Sequence, residues 1–249
     1  MEVIGLLPPR SFFITAGTVV SLAVMFLLIF LEYKISWRTL IVCAIAGIVT
    51  PTSGIGGQIA RKLSHGQWLD MGSFARNIFE YEGTHYIGAA AWIMLLAPLI
   101  WLIIMRKSEG PFRKGGLMRF MGILSIYAVL QGFIGRIGCL REGCCHGGAY
   151  SGPLAVSCVG LDYTVAPALQ TELILLFITA VLTVIMYINK KNTAPVFCIG
   201  YGVSVFAAEF MYYRAGQVTV FGLTAFQMIA IALIAAGLMF IYLPKRKAK

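Results

Sequence analysis

Residues 135–148 read Gly-Arg-Ile-Gly-Cys-Leu-Arg-Glu-Gly-Cys-Cys-His-Gly-Gly, a run that sets two guanidinium groups, a carboxylate, three thiols and an imidazole close together. Groups of these types can grip an anion, move a proton or present a sulfur nucleophile. Arg136 follows directly on an apolar run, 117–135, long enough to cross a bilayer, so the segment arrives at the membrane surface or just beneath it. An ionisable side chain at bilayer depth costs about 2.5 to 3.5 kcal/mol on insertion scales and marks a functional site by default. The glycines here are read as a backbone that turns sharply and lets a ligand come close, which a packing helix would not require.

Arg136, Arg141 and, further along, Arg214 each present a planar fork that holds phosphate and keeps its charge in a poor solvent, which suits an anionic phospholipid substrate. For Arg141 and Arg214, snorkelling to the headgroups is an equally open reading. His85 opens an apolar run after Glu82-Gly83-Thr84, and with an ordinary pKa near 6.5 an imidazole can take a proton from a thiol or alcohol. Glu209 lies inside another apolar run and needs a partner, for which Arg214 or Arg136 is the candidate.

Holding these groups requires membrane spans. The 249-residue chain is 59% hydrophobic and 12% charged with a mean hydropathy of +0.84, whereas soluble domains average about 25% charged residues. Its net charge of +10 does not point to nucleic acid, because Lys and Arg fall in short clusters between apolar runs, where they set topology. Seven runs approach spanning length, at about 12–31, 39–60, 86–105, 117–135, 169–188, 196–212 and 222–243. The expected fold is therefore all-α and polytopic, a single domain over 1–249. The second run is interrupted by Pro51-Thr52-Ser53-Gly54 and by Gly56-Gly57, read as a kink or a break lining a cavity. The first ten residues lack a signal peptide's features, so the first run is expected to stay in the protein.

Lys34 and Arg38, the cluster Arg106 to Arg119, Lys190 and Lys191, and the basic tail from Lys245 fall on one side, assigned to the cytoplasm by the positive-inside rule. The N-terminus then faces outward, the C-terminus inward, and His65, Asp70, Glu80, Glu82, His85, Arg136, Arg141, Glu142, His146, Asp162 and Arg214 gather at the outer face. Residues 61–84 mix Trp68, Phe74, Phe79 and Tyr81 with charged residues, as an amphipathic segment in the interface would.

Cys43 and Cys198 lie in apolar runs and are expected to pack as small hydrophobes. Cys139, Cys144, Cys145 and Cys158 fall in one segment. Adjacent Cys144 and Cys145 lack the spacing of two to four residues that lets two thiolates reach one ion, so no metal is expected. A disulfide among the outer cysteines, a nucleophilic thiol beside His146 and close packing at a helix end remain open. On these residues alone, two other classes compete with a lipid-using enzyme: an outward-facing thiol redox protein working through Cys144 and Cys145, and an anion or lipid transporter.

The segment resembles the signature G-R-x-x-N-F-x-N-x-E-x-x-G of the phosphatidylglycerol:prolipoprotein diacylglyceryl transferase family. It aligns without a gap, matching at Gly135, Arg136 and Gly147, while Cys139, Glu142 and Cys144 stand where the signature has Asn, Asn and Glu. The form Gly-Arg-Ile-Gly-Cys with Gly-Cys-Cys looks like a divergent branch of that family. Ile78 to Gly83 is similar to the segment before the family's His, although His85 lacks the Gly-Gly that follows it there. Pro167 with Leu169-Gln170 resembles H-P-T-Q-L-Y-E with Ala166 in place of His, and Glu172 falls late in it. Ala208-Glu209-Phe210 through Arg214 is similar to E-F-F-R, with Arg214 two residues further on, and Leu223 to Gln227 looks like S-M-G-Q.

The resemblance implies a seven-span enzyme of the bacterial cytoplasmic membrane, its active site toward the outer leaflet. Such an enzyme moves the diacylglyceryl group of phosphatidylglycerol onto the lipobox cysteine of a preprotein without metal or organic cofactor. It assigns Arg136 to the departing phosphate, Arg214 to headgroup positioning or gating and His85 to a possible base. Substrate contact falls to Gly135, Cys139, Arg141, Glu142, Gly143, His146, Gly147, Gln170 and Glu209.

Overall fold

In hydrocarbon only a helix or a closed barrel satisfies every backbone N–H and C=O, so long uncharged runs become helices. A computed structural model describes residues 8–33, 36–64, 86–104, 116–213, 217 and 219–242. Among these residues lie seven helices: α1 Arg10–Tyr33, α2 Trp37–Ser64, α3 Tyr86–Ile104, α4 Gly116–Glu142, α5 Ala168–Ile188, α6 Ala194–Glu209 and α7 Ala225–Tyr242. The first five are long and apolar enough to cross a membrane, while α6 and α7 are apolar but shorter. Large apolar side chains such as Leu31, Ile103, Ile174 and Phe177 point outward from them, the pattern of a surface solvated by lipid. Of the 61–84 segment, Arg61–Ser64 completes α2, and residues 65–84 lie outside the described residues.

Helix α4 is the centre of the bundle. Every residue from Phe120 to Val129 is buried, with α1 packed along one side and α5 and α6 along the others. The expectation of a sharply turning segment at 135 is corrected: α4 continues to Glu142, so Gly135 and Gly138 are helical. Their small size serves packing. A Cβ at Gly135 would sit 2.2 Å from the Tyr86 hydroxyl oxygen, and one at Gly138 would sit 3.1 Å from Phe13 Cβ. Close approach of this kind replaces the hydrophobic effect as the source of helix association in lipid. The turn comes later, at Gly143, whose φ of +66° favours glycine.

The second apolar run is likewise not broken. Helix α2 passes through Pro51, and the neighbouring hydroxyls of Thr50, Thr52 and Ser53 bond back to the carbonyls of Ala46, Ile48 and Thr50. Ser and Thr side chains of this sort help a membrane helix tolerate proline. Its glycine-rich end packs on α3, where Gly56 and Gly88 face each other so closely that a Cβ on either would lie 2.4 or 2.3 Å from the other's carbonyl oxygen.

Two short antiparallel ribbons close one end of the bundle. β1 Val156–Ser157 pairs with β2 Thr164–Val165, and β3 Thr219–Val220 with β4 Leu223–Thr224. The second ribbon turns on Phe221 and Gly222, both at positive φ, as a two-residue type I′ hairpin requires. Thr224 then caps α7: its Oγ1 accepts from the Gln227 N–H, and Gln227 Oε1 accepts from the Thr224 N–H, a reciprocal capping box.

The α2–α3 crossing yields a prediction. Replacing Gly56 by Val should destabilise the protein by about 1 to 3 kcal/mol through overpacking, whereas Gly47→Ala, where a Cβ meets nothing within 4 Å, should be neutral. Thermal unfolding in detergent measures the difference.

Candidate active site

Arg136 stands on the last part of α4, only 3% exposed, opposite Glu172 of α5, which is fully buried. Its Nε donates to Glu172 Oε1 at 2.9 Å, and Nη2 lies 2.9 Å from the same oxygen. Nη2 is off the line of a hydrogen bond there and has no other partner among the described residues, so it retains donor capacity. The second carboxylate oxygen, Oε2, accepts from the Tyr212 hydroxyl. The guanidinium carbon lies 5.7 Å from the Tyr86 ring centre and 5.9 Å from that of Tyr212, within cation–π range. The third nitrogen, Nη1, donates to Cys145 Sγ at 3.5 Å. The cation is thus fixed in place with part of its hydrogen-bonding capacity unspent.

The backbone explains why the partners meet. After the turn at Gly143 the chain pairs with the segment leaving α6: Gly147 bridges Tyr212, the Gly148 N–H bonds Met211 O, and the Tyr213 N–H bonds His146 O. Gly147 is required for this approach, since a Cβ there would sit 2.2 Å from Ala166 O. The pairing brings Cys145 within hydrogen-bond reach of the guanidinium and the Tyr212 ring to 5.9 Å from its carbon. It also stacks the His146 ring on Tyr213 at 5.7 Å.

A cavity of about 200 Å³ opens beside Arg136, lined by Cys144, Cys145, His146, Glu209, Tyr212, Tyr213, Gln217 and Phe226. Polar groups converge on it: Glu209 Oε2 accepts from Thr224 Oγ1 at 3.1 Å, and the buried Gln217 Oε1 has no hydrogen-bond partner among the described residues. Burial pushes the Tyr212 hydroxyl well above its ordinary pKa, which keeps it a neutral donor to Glu172. A smaller cavity of about 50 Å³ lies on the other side of Cys145 and His146 and is lined in part by Gly143, Cys158 and Gln170.

Of the residues expected from sequence, Arg136, His146 and Glu209 line the larger cavity, Gly147 borders the smaller one, and Cys139 is buried with its sulfur within 4.8 Å of those of Cys144 and Cys145. Gln170 and Gly143 also border the smaller cavity. Gly135 serves packing against Tyr86. Arg141 occupies the last turn of α4, and exposed Glu142 lies 3.8 Å from Arg10 Nη1; neither lines the two cavities. His85 and Arg214 lie outside the described residues. The carboxylate that Arg136 pairs with is Glu172 rather than Glu209. Glu172 was visible in the sequence as the only acidic residue of its apolar run and carried the signal of a charge at bilayer depth. Tyr86 and Tyr212 carried none, because an aromatic at a helix end is ordinary.

The cysteines also depart from expectation. Cys144 and Cys145 Sγ are 3.8 Å apart, and Cys139 brings a third sulfur, all within 4.8 Å of one another. Adjacent residues share a face here because the chain has left the helix and turned at Gly143. Cys158, across the turn, donates to Gly143 O at 3.5 Å, and burial raises its thiol pKa.

With this geometry in hand, comparison with known families gives a match over residues 11–243 to the family described as prolipoprotein diacylglyceryl transferase. Comparison with curated proteins finds no match.

Breaking a buried ion pair from one side leaves an uncompensated charge. Glu172→Ala should cost roughly 3 to 5 kcal/mol, and the double variant Arg136→Met with Glu172→Leu should recover most of it. Thermal unfolding of the three proteins in detergent measures this, and equal losses in the single and double variants would contradict it.

Proposed function

The chain belongs to the prolipoprotein diacylglyceryl transferase family, a family of membrane-bound transferases, and from that membership we propose that it transfers the diacylglyceryl group of phosphatidylglycerol to the lipobox cysteine of a prolipoprotein. The observation that carries the reading is the Arg136 guanidinium, anchored by Glu172, in a residue that lines a cavity of about 200 Å³. In this reaction the thiol sulfur attacks the glyceryl carbon, the carbon–oxygen bond breaks, and glycerol phosphate leaves with added negative charge. A fixed cation at the leaving oxygen stabilises that charge more than the starting diester, and only such a difference lowers the barrier. Because Glu172 and the two tyrosine rings hold the group before the substrate arrives, little reorganisation is needed at the transition state.

The Gln217 oxygen, without a partner among the described residues, is suited to a hydroxyl of the glycerol headgroup, and the apolar wall at Phe226 to the adjoining lipid. We assign Arg214 to headgroup positioning and His85 to the proton of the acceptor thiol, both from the family resemblance. Seven spans, with the N-terminus outside and the site toward the outer leaflet, complete the proposal. The exposed apolar faces and the basic clusters at 34–38, 106–119 and 245–249 support it.

Purified protein incubated with labelled phosphatidylglycerol and a lipobox peptide should yield a labelled thioether peptide by mass spectrometry. Arg136→Ala should lower kcat by about 100-fold or more, the scale of losing one oxyanion donor. Arg136→Lys should restore only part of it, since an ammonium cannot bond Glu172 and a phosphate in the same fork. No transfer beside an active control enzyme would refute the function.

A further inference from the structure

The buried pair with Glu172 is the main anchor of Arg136, to which the thiol cluster of Cys139, Cys144 and Cys145 adds one hydrogen bond, at Cys145, and the leaving phosphate does not require the cluster. We propose that the three sulfurs form a thiolate site for a thiophilic d10 cation of the Zn²⁺ class, with the fourth position open to the cavity and available to the acceptor's cysteine sulfur.

The geometry favours a cation over a disulfide between Cys144 and Cys145. In tetrahedral zinc sites with Zn–S near 2.3 Å, neighbouring sulfurs stand about 3.8 Å apart. Cys144 and Cys145 have that separation already, and Cys139 lies within 4.8 Å. A bridge between adjacent Cys144 and Cys145 is strained by contrast, because Cα atoms across a trans peptide are about 3.8 Å apart whereas disulfides span roughly 4.4 Å or more.

The surroundings suit thiolates. Arg136 Nη1 donates to Cys145 Sγ, and on the other side Arg10 of α1 lies against Gly138, one residue from Cys139. The Arg10 Nε is buried without a hydrogen-bond partner among the described residues. Two cations thus flank three sulfurs that would otherwise repel one another once ionised. The site also has a buried and an open side: Cys139 is buried, Cys144 is exposed, and Cys144 and Cys145 line the cavity beside Arg136. Soft thiolate ligands select Zn²⁺ over the harder cations, and three protein ligands with an open fourth position is the arrangement of a reactive rather than a purely structural zinc.

The cation site stands on the sulfur geometry, while its use in catalysis rests on the transferase reading. On binding the cation, the acceptor thiol gives its proton to the base that the transferase reading assigns and remains a thiolate. Its lone pair forms the S–C bond to the glyceryl carbon as the C–O bond breaks, and that bonding pair leaves on the phosphate oxygen toward Arg136. The product thioether, a weaker donor, then leaves the metal.

The test uses the full chain in detergent, reduced and stripped of metal, with Co²⁺ as the spectroscopic probe and Zn²⁺ as competitor. Co²⁺ should give sulfur-to-metal charge-transfer absorption saturating at one ion per chain and removed by Zn²⁺. Cys139→Ser, Cys144→Ser and Cys145→Ser should each weaken binding by more than about tenfold, while Cys43→Ala on α2 should bind as the parent does. A lipobox peptide should alter the visible Co²⁺ bands, and the same peptide with Ser for Cys should not. If the serine variants fail to fold, the Co²⁺ spectrum of the parent still decides. Absence of charge transfer with all thiols titratable overturns the site, as does a thiol count short by two with the matching mass loss of a disulfide. An unchanged Co²⁺ spectrum on adding the Cys peptide overturns the acceptor role. Lipid transfer by metal-free protein removes the cation from the reaction and leaves the transferase standing; a bound cation without transfer does the reverse.

Discussion

A guanidinium buried among apolar helices is tolerable only if its charge is answered where it sits, and the pairing of Arg136 with Glu172 supplies that answer. Each group alone would be costly at this depth; together they form a nearly neutral unit whose alignment depends on α4 and α5 staying in register. Tyr212 completes the unit by donating to the carboxylate oxygen that Arg136 leaves unused, and so ties the segment after α6 to the same point. Three separate parts of the chain thereby converge on one electrostatic contact.

The rest of the bundle can be understood as what keeps that contact dry and fixed. Gly135 admits the Tyr86 ring against α4, and that ring then covers one side of the guanidinium. Gly147 lets the returning loop reach Ala166 and pair with Tyr212. Gly56 and Gly88 draw α2 against α3, the helix that begins at Tyr86. The glycines act mostly by what they leave out, a Cβ that would hold two elements apart, and among the described residues Gly143, Gly160 and Gly222 use conformational freedom.

Around this frame the donors divide into those that are spent and those that are not. Glu172 and Tyr212 are committed to each other and to Arg136, and Glu209 accepts from Thr224. Arg136 Nη2 and Gln217 Oε1 remain unsatisfied among the described residues, and both belong to residues on one cavity. Buried polar atoms without partners carry a desolvation cost, and two of the five such atoms among the described residues belong to residues of this cavity, which supports the proposal that substrate sits there. Cys144 and Cys145 lie on the wall of the same cavity.

The sequence by itself determined that the chain is helical and apolar, because runs of uncharged residues this long have no other way to satisfy their backbone. It also singled out Arg136, because a charge following such a run needs a reason, and the spacing of Gly135, Arg136 and Gly147 was enough to indicate the family. What only the tertiary structure decided was which groups meet. Glu172, thirty-six residues away in the chain, and Tyr212 become partners of Arg136 through helix packing and loop pairing, which leave no local periodic mark. The helical course of residues 135–142 was hidden for a related reason: a glycine reads the same in sequence whether it frees a turn or admits a neighbouring ring, and the difference lies in what occupies the space its missing side chain vacates.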